Sequence, residues 1–99
     1  MNDITSLPDA EIQSFLSRHA GWKVEHQALI RTFEAPTFLR GIALVEQIGQ
    51  AAERADHHPD IDIRWRKVTI RLTTHDAGNR ITALDVRLAQ ECEALFQKL

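Results

Sequence analysis

The chain has 99 residues, 43% of them hydrophobic, which is enough for one modest core and leaves no room for a second domain. Twelve basic residues against fourteen acidic ones give a formal net charge of −2 at pH 7, so the chain lacks the overall basicity of a nucleic-acid binder. Cys92 is the only cysteine, which excludes an intrachain disulfide and a Cys-based zinc site and leads us to expect a reducing, cytoplasmic setting.

The start, Met1-Asn2-Asp3-Ile4, lacks the basic and apolar regions of a secretory signal. No apolar run approaches the roughly 20 residues of a membrane span, so no membrane partner is expected. Pro8 with the acidic Asp9 and Glu11 marks a helix start, and Ile12, Phe15, Leu16 and His19 follow one helical face until Gly21 ends it. Trp22 to Gln27 and Leu29 to Glu34 read as two short strands joined near Gln27-Ala28.

Thr37 is a plausible N-cap for a long helix, with Phe38, Ile42, Val45, Ile48 or Gly49, and Ala52 as its apolar stripe. That helix must stop by His58, because the residue before Pro59 is pushed out of the α region. Ile61, Ile63 and Trp65 then alternate with polar residues, as do Val68, Ile70 and Leu72. A two-residue turn at Arg66-Lys67 would pair Trp65 with Val68, Ile63 with Ile70 and Ile61 with Leu72, and would set Asp62 opposite Arg71. After a loop from His75 to Arg80, Thr82 and Asp85 resemble a capping box opening a last helix through about Phe96, whose apolar positions include Val86, Leu88, Ala89 and Cys92.

The expected fold is therefore α+β, a single domain over residues 1–99 in the order α-β-β-α-β-β-α, with a four-stranded antiparallel sheet and three helices on one face.

The chemistry concentrates in His57-His58-Pro59-Asp60 and in His75, 17 positions after His58. Imidazole, with an unperturbed pKa of about 6.5, exchanges protons near neutrality. A solvated helix end is the plain alternative for His57 and His58, since an imidazolium also suits the helix C-terminal dipole. Three histidines could instead bind zinc with an open fourth position, but adjacent histidines lack the usual ligand spacing, so no metal is expected. Asp85 reads both as the acid of the capping box and as a carboxylate able to orient a nearby imidazole. Asp56 reads as a solvated helix-end acid in preference to a cleft-rim residue, and Arg64, Arg66, Lys67 and Arg71 as a solvated sheet face in preference to a phosphate-binding stripe. Trp22 and Trp65 suit core or interface positions, while His19 and His26 are left as structural or exposed.

The run Ala52-Glu53-Arg54-Ala55-Asp56-His57-His58-Pro59-Asp60, followed by Lys67-Val68 and Leu72-Thr73-Thr74-His75-Asp76-Ala77-Gly78, resembles the pterin-4a-carbinolamine dehydratases. Gly21-Trp22, the Leu29 to Phe38 stretch and Asp85 with Leu88-Ala89 are compatible with that family. The resemblance implies dehydration of a 4a-hydroxytetrahydropterin, released by aromatic amino-acid hydroxylases, to a quinonoid dihydropterin and water, with no cofactor. It implies that His57 and His75 form the acid–base pair, that His58 binds substrate or serves as auxiliary acid, and that Asp85 is the supporting carboxylate on the substrate side. Which histidine is acid and which is base stays open. Asn79 stands where many members have glycine, and Ile61 where some have an aromatic residue, which leaves the pocket wall and the substrate side-chain preference open. The family further implies a homodimer or homotetramer. The competing reading is a non-catalytic binding or dimerisation module of the same fold, acting as partner of a regulator or other protein.

Overall fold

Each predicted element is present in the computed structural model, which describes residues 5–99; the lead Met1–Ile4 lies outside the described residues. In chain order the elements are α1 (Asp9–Arg18), β1 (Lys23–Glu25), β2 (Ala28–Glu34), α2 (Phe38–Ala55), β3 (Asp60–Arg64), β4 (Lys67–Leu72), a 3-10 turn at His75–Ala77, and α3 (Ala83–Gln97). The strands form one antiparallel sheet in the order β1-β2-β4-β3. Val68, Ile70 and Leu72 alternate inward from the central strand β4 and are fully buried, against Leu29 and Phe33 of β2 and the inner faces of all three helices. Period-two alternation over a strand with one covered face accounts for this pattern.

Two hairpin turns differ in position from the sequence expectation. The β1–β2 turn lies at His26-Gln27, one residue earlier than expected, and both residues have positive φ (50° and 61°), as a tight hairpin that follows the sheet twist requires. The β3–β4 turn lies at Trp65-Arg66 instead of Arg66-Lys67. Arg64 therefore pairs with Lys67, Ile63 with Val68 and Ile61 with Ile70, while Asp62 faces Thr69 and Asp60 takes the place opposite Arg71. A slip of two residues keeps every apolar side chain of the strands on its face, so alternation alone could not separate the two registers. Its consequence is local. Trp65 leaves the core for a left-handed turn position (φ 53°), is 68% exposed, and has the Arg66 guanidinium 4.3 Å over its ring.

The long helix α2 begins as expected, with the Thr37 side chain accepting from the Arg40 amide at 3.1 Å. Its buried face is rotated from the predicted stripe: Gly41, Leu44, Ile48, Ala51 and Ala52 face the core, and Phe38 and Ile42 are 45% and 40% exposed. Gly41 lies on that buried face. A Cβ there would meet Ile63 Cδ1 at 3.4 Å and Val68 Cγ2 at 3.6 Å, so the backbone of α2 packs directly over side chains of β3 and β4 at this position.

The β1–β2 hairpin is fastened to α3 by a polar cluster. Trp22 Nε1 donates to Glu93 Oε1 (2.8 Å), the Arg31 guanidinium pairs with the same oxygen (2.5 Å), and Arg31 also donates to the Ala20 carbonyl. Gly21, at φ 102°, lies under that guanidinium, where a Cβ would come within 2.7 Å of Arg31 Nη1.

Candidate active site

The exit of α2 determines where the paired histidines point. Asp56 takes the left-handed conformation (φ 50°), its amide donates to the Glu53 carbonyl (3.2 Å), and the His57 amide donates back to the Ala52 carbonyl (3.1 Å). These bonds close a Schellman end, which normally uses glycine at the left-handed position; aspartate is one of the few other residues that tolerates it. The chain then reverses and Pro59 prevents the helix from resuming. After the reversal one imidazole is buried and the other exposed.

His57 turns inward and is 8% exposed. Its Nε2 lies 2.6 Å from Oδ1 of Asp85, which is fully buried at the first turn of α3. The other carboxylate oxygen, Oδ2, accepts from the Thr82 amide (2.9 Å) and from the Thr74 hydroxyl (2.8 Å), and Thr82 in turn caps the helix by accepting from the Leu84 amide. The helix-capping and imidazole-facing readings of Asp85 are thus satisfied by different oxygens of one side chain. Asp85, grouped with the substrate-binding residues from the sequence, has no exposed surface for a ligand; it meets the cleft through His57. Thr74 carries no sequence signal for this place, and it emerges only from the fold, at the end of β4 where its hydroxyl also meets Thr82 Oγ1 (2.7 Å).

His58 turns outward, more than half exposed, and its Nε2 bonds to a carboxylate oxygen of Glu53 one turn back on α2. His75 opens the 3-10 turn after β4 and is exposed, with Nδ1 3.2 Å from Asn79 Oδ1. Asn79 is left-handed (φ 59°), a conformation that asparagine tolerates better than most residues, and its side chain supplies the contact to His75.

The three histidines line one open cavity of about 300 Å³, together with Asp56, Thr74 and Leu84. Asp56 is exposed at the helix end, as the solvated-acid reading expects, and it also stands at this rim. A second cavity of about 370 Å³ shares His58, Thr73 and His75 with the first and adds His26, Asp60 and Arg71. His26, read from the sequence as structural or exposed, is exposed, and its position in the β1–β2 turn brings it there. Among the described residues no group of three His, Cys, Asp or Glu side chains is arranged to hold a metal ion, and no helix is long and apolar enough to cross a membrane.

A helix exit, a strand end and a helix start converging three imidazoles and a buried carboxylate match the pattern seen in the sequence motif. Residues 5–95 match the family model described as pterin 4 alpha carbinolamine dehydratase. The chain belongs to that family. It is 47% identical over 92 residues, 93% of this chain and 98% of the relative, to a protein of Roseiflexus sp. (strain RS-1) provisionally named a pterin-4-alpha-carbinolamine dehydratase. A relative from Mycolicibacterium smegmatis with the same provisional name is 47% identical, covering 91% of this chain and 95% of the relative. A crystal structure described as a transcriptional coactivator/pterin dehydratase from Brucella melitensis superposes with a TM-score of 0.86 at 28% identity, over 93% of this chain and 99% of that one. A more distant structure, described as a pterin dehydratase-like RuBisCO assembly factor of the alpha-carboxysome, shares the fold with a TM-score of 0.66 at 19% identity, over 78% of this chain and 90% of that one.

Proposed function

We propose that the histidine cleft dehydrates a 4a-hydroxytetrahydropterin to the quinonoid dihydropterin and water. The observation that carries this reading is the inward His57 held on buried Asp85, beside His75 and His58 around one cavity, in a chain of the dehydratase family. The reaction removes the proton on N5 and the hydroxyl on C4a. Hydroxide leaves poorly until it is protonated, so an acid and a base must face one flat heterocycle.

His57 and His75 supply them. With Nε2–H directed at the Asp85 carboxylate, His57 keeps Nδ1 for the cleft; with Nδ1–H directed at the Asn79 carbonyl oxygen, His75 keeps Nε2. One imidazole takes the N5 proton while the other, protonated, gives its proton to the departing hydroxyl, and the two exchange protons with water to reset the site. Asp85 is a positioning residue that fixes the ring and tautomer of His57. His58, outward and steered by Glu53, contacts the substrate.

The substrate is supplied by a pterin-dependent aromatic amino-acid hydroxylase. The protein works in the cytoplasm as a homodimer or homotetramer, an assembly that its exposed Phe38, Leu39 and Ile42 support. The test is to generate the carbinolamine with a hydroxylase and follow its ultraviolet decay with and without this protein, each with and without chelator. Accelerated decay that ignores the chelator supports the proposal. No acceleration with all three histidines intact would move the binding-module reading ahead, and chelator-sensitive acceleration would favour a metal site.

A further inference from the structure

The second cavity contains a cation whose charge the fold leaves unused. Three arginines are half-buried, Arg31, Arg66 and Arg71. Arg31 pairs with Glu93 and Arg66 with Glu34, whereas Arg71 makes no ion pair among the described residues. Its only partner of note is structural: Nη2 donates to the His26 carbonyl at 3.4 Å, which ties the guanidinium to the β1–β2 turn. Thr73 Oγ1 donates to the Gln27 carbonyl of the same turn (3.0 Å), so the wall beside the histidine cleft is held from two sides. A partly desolvated guanidinium facing a cavity with most of its donors free favours a ligand with acceptor oxygens.

The rest of the wall narrows the class. Asp60, opposite Arg71 in the β3–β4 ladder, is an acceptor, and its negative charge offsets that of Arg71 against a strongly anionic group. His26 and Asn79 offer both donors and acceptors. Neighbouring donors and acceptors with no net charge suit a chain of hydroxyl groups, since each hydroxyl both accepts and donates. The cavity shares His58, Thr73 and His75 with the catalytic one, so a substituent on the bound heterocycle passes directly from one to the other.

We infer that Arg71, with His26 and Asp60, forms a specificity subsite for a hydroxylated side chain on the reduced ring of the pterin. This rests on the proposed binding of a pterin in the histidine cleft, and it gives a role to a residue that the chemistry itself does not require.

Equilibrium binding tests the subsite without depending on turnover. The probes are 6-(1,2-dihydroxypropyl)-7,8-dihydropterin and 6-methyl-7,8-dihydropterin, titrated against the native protein, Arg71→Leu and Arg71→Gln, with thermal melting to confirm folding. The native protein should bind the dihydroxypropyl probe about tenfold more tightly, the effect of roughly one charge-assisted hydrogen bond. Both variants should lose that preference by weakening the dihydroxypropyl probe alone. Equal binding of the two probes by the native protein, equal weakening of both by the variants, or failure of the dihydroxypropyl probe to bind would overturn the subsite. A preserved preference in a protein that fails to turn over the carbinolamine would instead sink the dehydratase reading and leave the subsite standing.

Discussion

His57 Nε2 and Asp85 Oδ1 lie 2.6 Å apart although 28 positions separate them in the chain, and both side chains are buried. The same carboxylate closes the start of α3, so the geometry of an imidazole in the cleft is set by the element that begins beneath it.

This coupling predicts separable losses in Asp85→Asn. Turnover should fall about 10- to 100-fold, because the ring and tautomer of His57 are no longer fixed. Weakening of the helix start should cost about 1 kcal/mol, or roughly 4–8 °C in melting temperature. Thr82→Ala is the control, since it removes the cap hydroxyl and leaves the His57 contact. It should melt earlier by a similar amount and keep most of its turnover. Equal turnover losses in the two variants would show that Asp85 acts only through stability.

Much of this site was legible in the sequence, and the parts that were not have identifiable causes. Pro59 after paired histidines announced a helix exit, and Thr82 with Asp85 announced a helix start, because both signals are local. The partnership of Thr74 with Asp85 joins the segment after β4 to the start of α3, and strand pairing across the sheet brings His26 to the cavity it shares with His58; no local signal carries either. The β3–β4 register escaped because a two-residue slip preserves which side chains share a face. The buried face of α2 escaped because apolar periodicity gives no weight to Gly41, which is buried over Ile63 and Val68.

The exposed apolar residues on the first turns of α2 bear on assembly. Leu39 is 74% exposed beside Phe38 and Ile42, an arrangement that a free surface seldom keeps. Light scattering should report a dimer or tetramer at micromolar concentration, and Leu39→Glu should shift the population toward monomer while preserving the circular dichroism spectrum. A native protein that is monomeric across that range would contradict the assembly.

Cys92 provides a pH-dependent prediction. The thiol is fully buried, and its pKa is pushed up from 9.0 to about 12 by burial, with smaller contributions from Glu91 and Glu93. The folded protein therefore keeps a proton that the unfolded chain releases above about pH 9. The resulting stability is complete below that value and is lost as pH rises toward 12. Chemical denaturation should show stability declining across this window in the native protein and declining less in Cys92→Ala. Thiol reagents at pH 8 should label the native protein only as fast as it opens, and immediate stoichiometric labelling would contradict the burial.

The most direct test of the acid–base account compares carbinolamine dehydration by the native protein, His57→Ala and His75→Ala, with His58→Ala alongside. Loss of either end of the proton transfer should lower turnover roughly a hundredfold to ten-thousandfold in variants that retain native circular dichroism. His58→Ala should raise the apparent substrate constant more than it slows the chemical step. If His57→Ala and His75→Ala fold normally and keep near-native rates, these imidazoles do not carry the protons and the account is wrong.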